Sequence, residues 1–303
     1  MEIFQPTQIY KVECLNGNTV YIKRDDLLPY SFGGNKARKA SLFFKEIEVG
    51  GYNAVVTYGS GGSNHCRIVA NMAAERKLIC HIISPDTESN SLNRRMVEMF
   101  GAKITSCAVD KVADTIDNVI NSLKKCGLKP YFIPGGGHGN IGTHAYDLAY
   151  DEIKQYEFEN KLTFDFIFFA SGTGTTHAGL VCGLERYGDK KQIVGISIAR
   201  KNPRGKQVVL NSITDYLGYC NEDHVIFDDS YICGGYGLHN AFVDHTICRM
   251  MIEHGIPLDS SYTGKAYAGM EQYLKEHRIY GKNILFIHTG GTPIFCDWLV
   301  SNT

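Results

Sequence analysis

Glycine is concentrated in clusters at 33–34, 59–62, 135–139, 172–174, 234–237 and 290–291, and most of them follow a short apolar run. The run at 54–58, Ala-Val-Val-Thr-Tyr, leads into one cluster and then into a helical pattern at 65–77. In that helix Ile68, Val69, Met72 and Ala73 share one face, whereas Arg67, Asn71 and Glu75 point away, the spacing of a helix that buries one side. The run at 164–170 is followed in the same way by a helical pattern at 176–187. Further strands are expected at 19–23, 79–84, 104–108, 131–133, 193–198 and 284–288. Such alternation reads as βαβ units around parallel sheets. Ligands of open α/β sheets bind beyond the carboxyl ends of the strands, so the glycine loops are predicted to converge on one crevice. A chain of 303 residues exceeds one ordinary core, and two lobes are expected.

Several function classes are disfavoured. The formal net charge is -1 and no long run of one sign occurs, so nothing draws the chain generally to nucleic acid or to a membrane. The segment 1–10 lacks a basic stretch followed by an apolar one, and no run approaches the length of a bilayer span. A soluble, cytoplasmic protein with a small anionic or zwitterionic ligand is expected. Ten cysteines are scattered from Cys14 to Cys296 without a CxxC pair, which reads as reduced, mostly buried thiols. His138 and His144 lack accompanying ligands at metal-site spacing, and no metal is expected. Asp244-His245 has no serine in a nucleophile elbow to serve.

Two stretches carry the chemistry. Ala170-Ser171-Gly172-Thr173-Gly174-Thr175-Thr176-His177-Ala178-Gly179 joins a buried strand to a helix, where glycines admit an anion and the helix N-terminus supplies partial positive charge. A dinucleotide fingerprint would want glycine where His177 stands and an acid after the next strand, which instead runs into Ala199-Arg200; a Walker loop would need Gly-Lys-Ser/Thr. A phosphate suits this turn, although such turns also serve packing alone. In Gly33-Gly34-Asn35-Lys36-Ala37-Arg38-Lys39 a lysine stands at the mouth of a helix beside two further cations. Its pKa should be lowered, as a nucleophilic amine requires. A phosphate site together with such a lysine points to pyridoxal phosphate; by itself the lysine would read as a solvated basic turn.

Lys23-Arg24-Asp25-Asp26-Leu27 with the Lys36 stretch, then Ser63-Asn64-His65-Cys66-Arg67, resembles the 1-aminocyclopropane-1-carboxylate deaminase and D-cysteine desulfhydrase family of fold-type II pyridoxal-phosphate enzymes. Ile133-Pro134-Gly135-Gly136-Gly137, Gly172-Thr173-Gly174-Thr175 with Ala178-Gly179-Leu180, Tyr262-Thr263-Gly264-Lys265-Ala266 and His288-Thr289-Gly290-Gly291-Thr292-Pro293 match in order. The resemblance implies an α/β, two-lobed fold-type II enzyme with open, mostly parallel sheets flanked by helices. Residues 1–44 and 160–303 would form the large lobe and 45–159 the small one. It implies that Lys36 carries the cofactor as an imine, that Lys39 reaches the phosphate, and that Gly172, Thr173, Gly174, Thr175 and Thr176 cradle it. Asn64 would bond the ring hydroxyl and Thr263 the ring nitrogen, with Thr289 and Gly290 closing the floor. Ser63, Asn64, His65, Tyr236 and Tyr262 would surround a small amino-acid substrate, with Lys36, Ser63, Tyr236 and Tyr262 as catalytic candidates. A homodimer is expected.

Two departures stand out: Gly62 where the family usually has glutamine, and the bulky Leu28-Pro29-Tyr30-Ser31-Phe32 at the entry to the lysine motif. Thr263 bears on the reaction, because the cyclopropane deaminase branch has an acidic residue there to keep the ring nitrogen protonated. A neutral hydroxyl favours β-elimination of a good leaving group over ring opening, so the resemblance implies a D-cysteine desulfhydrase-like deamination to a 2-oxo acid. The alternatives are ring opening of 1-aminocyclopropane-1-carboxylate, or another lyase, racemase or β-replacement reaction. From other classes come a nicotinamide-dependent oxidoreductase, which leaves Lys36 unexplained, and a catalytically silent binder of a metabolite, which Gly62 keeps open.

Overall fold

A tight turn at Asn16 and Gly17, with φ of 50° and 76°, joins β1 (Ile9–Leu15) to β2 (Asn18–Lys23) as an antiparallel hairpin. Asn-Gly is the pair that tolerates two successive left-handed residues. The computed structural model describes residues 4–85 and 90–302. The strands that follow are β3 (Ala54–Tyr58), β4 (Ile79–Pro85), β5 (Lys103–Cys107), β6 (Pro130–Ile133), β7 (Phe166–Ser171), β8 (Gln192–Ser197), β9 (Ile226–Asp228) and β10 (Asn283–Ile287). Between them run α1 (Asn35–Val49), α2 (Asn64–Glu75), α3 (Leu92–Met99), α4 (Val112–Lys125), α5 (Asn140–Asn160), α6 (Thr175–Tyr187), α7 (Arg204–Leu217), α8 (Ala241–His254) and α9 (Thr263–Glu276), with α10 (Thr292–Asn302) last.

Six strands form one sheet in the order β1-β2-β10-β7-β8-β9, and four form another in the order β5-β4-β3-β6. Only the β1–β2 pair is antiparallel. The expected strands are all present with their ends shifted by a residue or two. Strands β1 and β9 were not expected: β1 lies half-exposed at an edge and lacks a clean alternation, and β9 has three residues.

Each sheet is covered by apolar helix faces. Val243, Ile247 and Met250 of α8, with Tyr267 and Met270 of α9, pack on one side of the six-stranded sheet, and α5, α6 and α7 pack on the other. Helices α5 and α6 touch backbone to backbone because Gly179 and Gly183 carry no side chain. A Cβ at Gly179 would lie 2.3 Å from the Thr143 carbonyl oxygen, and one at Gly183 would lie 2.4 Å from Tyr150 Cβ. A third core gathers Ala37, Ala40, Phe43, Phe44 and Ile47 of α1 with Val69 and Met72 of α2 and with Val55, Ile82 and Ile133 of the smaller sheet.

A buried polar cluster holds α1 in place. Arg38 donates to both oxygens of Asp25, at 2.8 Å each, and to Glu152 on α5 at 2.6 and 2.8 Å. Asp25 also accepts from the Thr7 and Tyr146 hydroxyls, both at 2.7 Å, and Lys23 Nζ pairs with Glu152. Burial alone would raise the Asp25 pKa, but the charges of Arg38 and Lys23 overcome it and hold the carboxyl well below the usual range. A carboxylate with a depressed pKa adds stability above its unfolded pKa, and that stability is lost as pH falls.

Removing one member strands the other buried charges, at a cost of about 3–5 kcal/mol. Asp25→Ala should therefore lose about that much in urea denaturation at neutral pH. It should also show a shallower fall in stability than wild type below pH ~4; an equally steep acid limb would mean that Asp25 is not the titrating group.

Candidate active site

The carboxyl ends of β3, β6, β7, β8 and β10 open onto a cavity of about 440 Å³. The first turns of α1, α2 and α6 line it as well, through Lys36, through Ser63, Asn64 and His65, and through Thr176 and His177. Three helix N-termini thus direct their positive dipole ends at one space. Among the described residues that line it, none is Asp or Glu. Such a cavity suits an anion.

Close backbone contact sets up the lysine. Gly34, at φ 97°, leaves room for the loop after β10, since a Cβ there would lie 2.6 Å from the Thr289 carbonyl oxygen. Asn35 N donates to that same oxygen at 3.0 Å, so α1 starts against the end of β10. Lys36 Nζ then reaches across the cavity to the Gly136 carbonyl oxygen at 3.0 Å. Burial lowers its pKa to about 8, opposed only by the nearby Cys66 thiol. Adjacent cations are not the cause that sequence position suggests, since Arg38 is neutralised by Asp25 and Glu152, and desolvation is the larger cause.

The other expected residues fall into two groups. Ser63, Asn64, His65, Gly172, Thr173, Gly174, Thr176, Tyr236, Tyr262, Thr289 and Gly290 line the cavity with Lys36. Ser63 caps α2, accepting from Cys66 N at 3.3 Å. Asn64 Oδ1 is taken by Arg67 at 2.5 Å and by Asn93 at 3.0 Å, which leaves its amide protons free for a ligand. His65 shares 2.8 Å between Nε2 and the Thr57 hydroxyl; burial and then the Lys36 and Lys39 charges hold its pKa well below the usual value, so the ring is neutral. The Tyr236 and Tyr262 hydroxyls meet at 2.7 Å, and burial pushes the Tyr262 pKa well above its usual value, so this phenol stays protonated.

Lys39, Thr175 and Thr263 stand behind the wall. Lys39 is buried and donates to Thr175 Oγ1 at 2.7 Å. Thr263 is fully buried, its hydroxyl donating to Asp259 Oδ2 at 2.8 Å and accepting from Asp259 N at 2.9 Å. That hydroxyl has one proton, and Asp259 takes it. Thr289, unlike Thr263, lines the cavity.

Three residues here were not singled out from sequence. Arg200 lines the cavity with one guanidinium nitrogen buried and unpartnered; its place directly after β8, where a dinucleotide site would hold an acid, was a usable signal. Asp259 accepts from the backbone nitrogens of Ser261, Tyr262 and Thr263 at 2.7–3.0 Å. An aspartate shortly before a helix is the pattern of a turn that caps its own chain. Arg67 was read as facing solvent, yet it is fully buried, because the edge of α2 opposite the sheet is covered by α3.

Comparison with known proteins decides what the cavity belongs to. The family model described as pyridoxal-phosphate dependent enzyme matches residues 2–290. This chain belongs to that family. D-cysteine desulfhydrases of Salmonella paratyphi A and Klebsiella pneumoniae subsp. pneumoniae are each 32% identical to it over 289 residues, covering 91% of this chain and 88% of theirs. The crystal structure of an ACC deaminase homologue superposes with a TM-score of 0.88 at 31% identity, over 99% of this chain and 95% of that one. An O-ureido-L-serine synthase shares the fold at a TM-score of 0.71 and 15% identity.

The residues present fit the family's cofactor. A half-desolvated amine faces the cavity, an anion-ready helix start stands nearby, and Gly136 leaves the space between them clear. A Cβ there would lie 2.7 Å from Thr173 Cγ2 and 3.5 Å from Lys36 Nζ.

An amine attacks an aldehyde only when neutral. The rate at which the cofactor-free chain takes up pyridoxal phosphate, followed by visible absorbance, should therefore rise through pH ~8 and level off. A rate still climbing towards about 10.4, the ordinary lysine value, would contradict the burial of Lys36.

Proposed function

We propose that this enzyme catalyses β-elimination from a small amino acid in the manner of a D-cysteine desulfhydrase, giving a 2-oxo acid, ammonia and hydrogen sulfide. Pyridoxal phosphate, when bound, supplies an electron sink for the pair left at the substrate's α-carbon. Lys36 would hold the cofactor covalently, and Lys39 with the loop and helix start from Gly172 to Thr176 would hold its phosphate. The free amide protons of Asn64 would serve the ring hydroxyl. Displaced by the substrate amine, Lys36 Nζ becomes a general base for the α-proton. Ser63, His65 and Tyr236 bound the substrate, and the protonated Tyr262 phenol, bonded to Tyr236, stands ready to donate to the departing thiolate. The enamine released is hydrolysed to pyruvate and ammonia when the substrate is cysteine.

The observation that carries the choice of reaction is a wall without carboxylates. Thr289 is among the lining hydroxyls, Thr263 is engaged by Asp259, and no Asp or Glu lines the cavity among the described residues. A ring nitrogen facing a hydroxyl is a weaker sink than one facing a carboxylate, which suits departure of a thiolate more than opening of a cyclopropane. The 32% identity to D-cysteine desulfhydrases supports the same reading.

The lobe division, 1–44 with 160–303 around 45–159, is likewise a proposal. Helices α1 and α5 serve as the connections, because α1 packs with the smaller sheet and α5 with the larger. So is a cytoplasmic homodimer: the ten cysteines are free, as a reducing compartment favours.

Purified enzyme given D-cysteine or β-chloro-D-alanine should release ammonia and pyruvate, with little or no 2-oxobutyrate from 1-aminocyclopropane-1-carboxylate. Faster ring opening than elimination from any β-substituted amino acid would overturn the desulfhydrase reading.

A further inference from the structure

Lys265 lies in the first turn of α9, two residues after Thr263, and is fully buried. Its ammonium donates to three backbone carbonyl oxygens, those of Ile198 and Ile232 at 3.0 Å and of Gly235 at 2.9 Å. All three of its protons are thereby used, and among the described residues no carboxylate forms an ion pair with it. A buried cation without a paired counter-ion is retained against a penalty of several kcal/mol; the three carbonyl dipoles bind it directly, and the more distant charge of Asp259 adds to them.

Those carbonyls belong to different walls of the cavity. Ile198 directly follows β8 and lines the cavity with Ala199 and Arg200 after it. Ile232 and Gly235 lie in the loop between β9 and α8, and Tyr236 follows immediately. That loop has no regular structure, and Gly234, Gly235 and Gly237 take φ of 90°, 153° and 75°. Its other side-chain ties include Tyr231 to Glu276 at 2.7 Å and Tyr236 to Tyr262 at 2.7 Å, with Asp229 to Asn202 at 2.8 and 3.0 Å and His239 to Asp244 at 2.8 Å at its two ends. The ammonium is therefore the point at which α9, the end of β8 and the Tyr236 loop are joined.

We infer that Lys265 is a positioning residue, whose ammonium binds three backbone carbonyls and so holds Tyr236 and the Arg200 segment against the substrate side of the cleft. The inference rests on the reading of that cleft as an amino-acid site. Next to Lys265 is a separate cavity of about 130 Å³, bounded also by Tyr231, Cys233 and Gly269. Truncating the lysine would extend this space enough to admit a small cation.

The test compares Lys265→Ala and Lys265→Met in the full chain loaded with pyridoxal phosphate. Both should raise KM for D-cysteine about tenfold or more, with a smaller change in kcat. Both should also accelerate hydrogen exchange selectively at 231–238. Added methylammonium should reverse both effects in the alanine variant but not in the methionine variant, whose stem fills the space. Lys265→Gln, with two donors in place of three, should give intermediate exchange and serves if the alanine variant does not fold. Unchanged exchange at 231–238, acceleration spread evenly over the chain, or no reversal by methylammonium would overturn the inference. If wild-type protein does not turn over D-cysteine, the exchange results still decide for or against Lys265, and only the substrate reading falls.

Discussion

The two-nitrogen grip of Arg38 on Asp25, shared with Glu152, fixes how α1 crosses between the two sheets. Arg38 stands two residues after Lys36 and one before Lys39, so a change in its geometry moves both lysines. An apolar cluster could hold the same helix as firmly, but it would tolerate small rotations. A planar fork on a carboxylate does not. The clamp joins β2, α1 and α5, which come from distant parts of the chain, and so ties the register of the amine to the larger sheet. The hydrogen bond from Asn35 N to the Thr289 carbonyl completes the placement from the other side.

With α1 held, the electrostatics of the cleft follow from where the helices begin. The starts of α1, α2 and α6 face the cavity, and no lining carboxylate opposes them among the described residues. Removal from water disfavours the charge of Lys36, and little nearby restores it. The outcome is an amine with a pKa of about 8, neutral often enough near physiological pH to act as a nucleophile. Burial and then the charge of Lys36 also hold the pKa of Lys39 well below its ordinary value.

Much of this was legible in the sequence, for identifiable reasons. Parallel strands buried on both faces write themselves as apolar runs, and glycine records where backbones must touch, as at Gly34 against Thr289. Lys36, Ser63, Asn64 and the Gly172 turn could be located because each sits at a strand-to-helix junction. Less legible were contacts that one side chain makes to the backbone of a remote segment. Lys265 and its three carbonyls leave no periodicity, and Asp259 is visible only as an acid four residues before Thr263. The hydrogen bond from the Thr263 hydroxyl to Asp259 was not legible either, because it depends on a turn whose direction the sequence does not state.

The account stands or falls on which residue carries the cofactor. Borohydride reduction of the purified, pyridoxal-phosphate-loaded enzyme, followed by peptide mapping, should place a pyridoxyl group on the peptide that contains Lys36 and on that residue within it. A label on Lys39 or Lys265, or no label on a protein that holds the cofactor tightly, would contradict the proposed site.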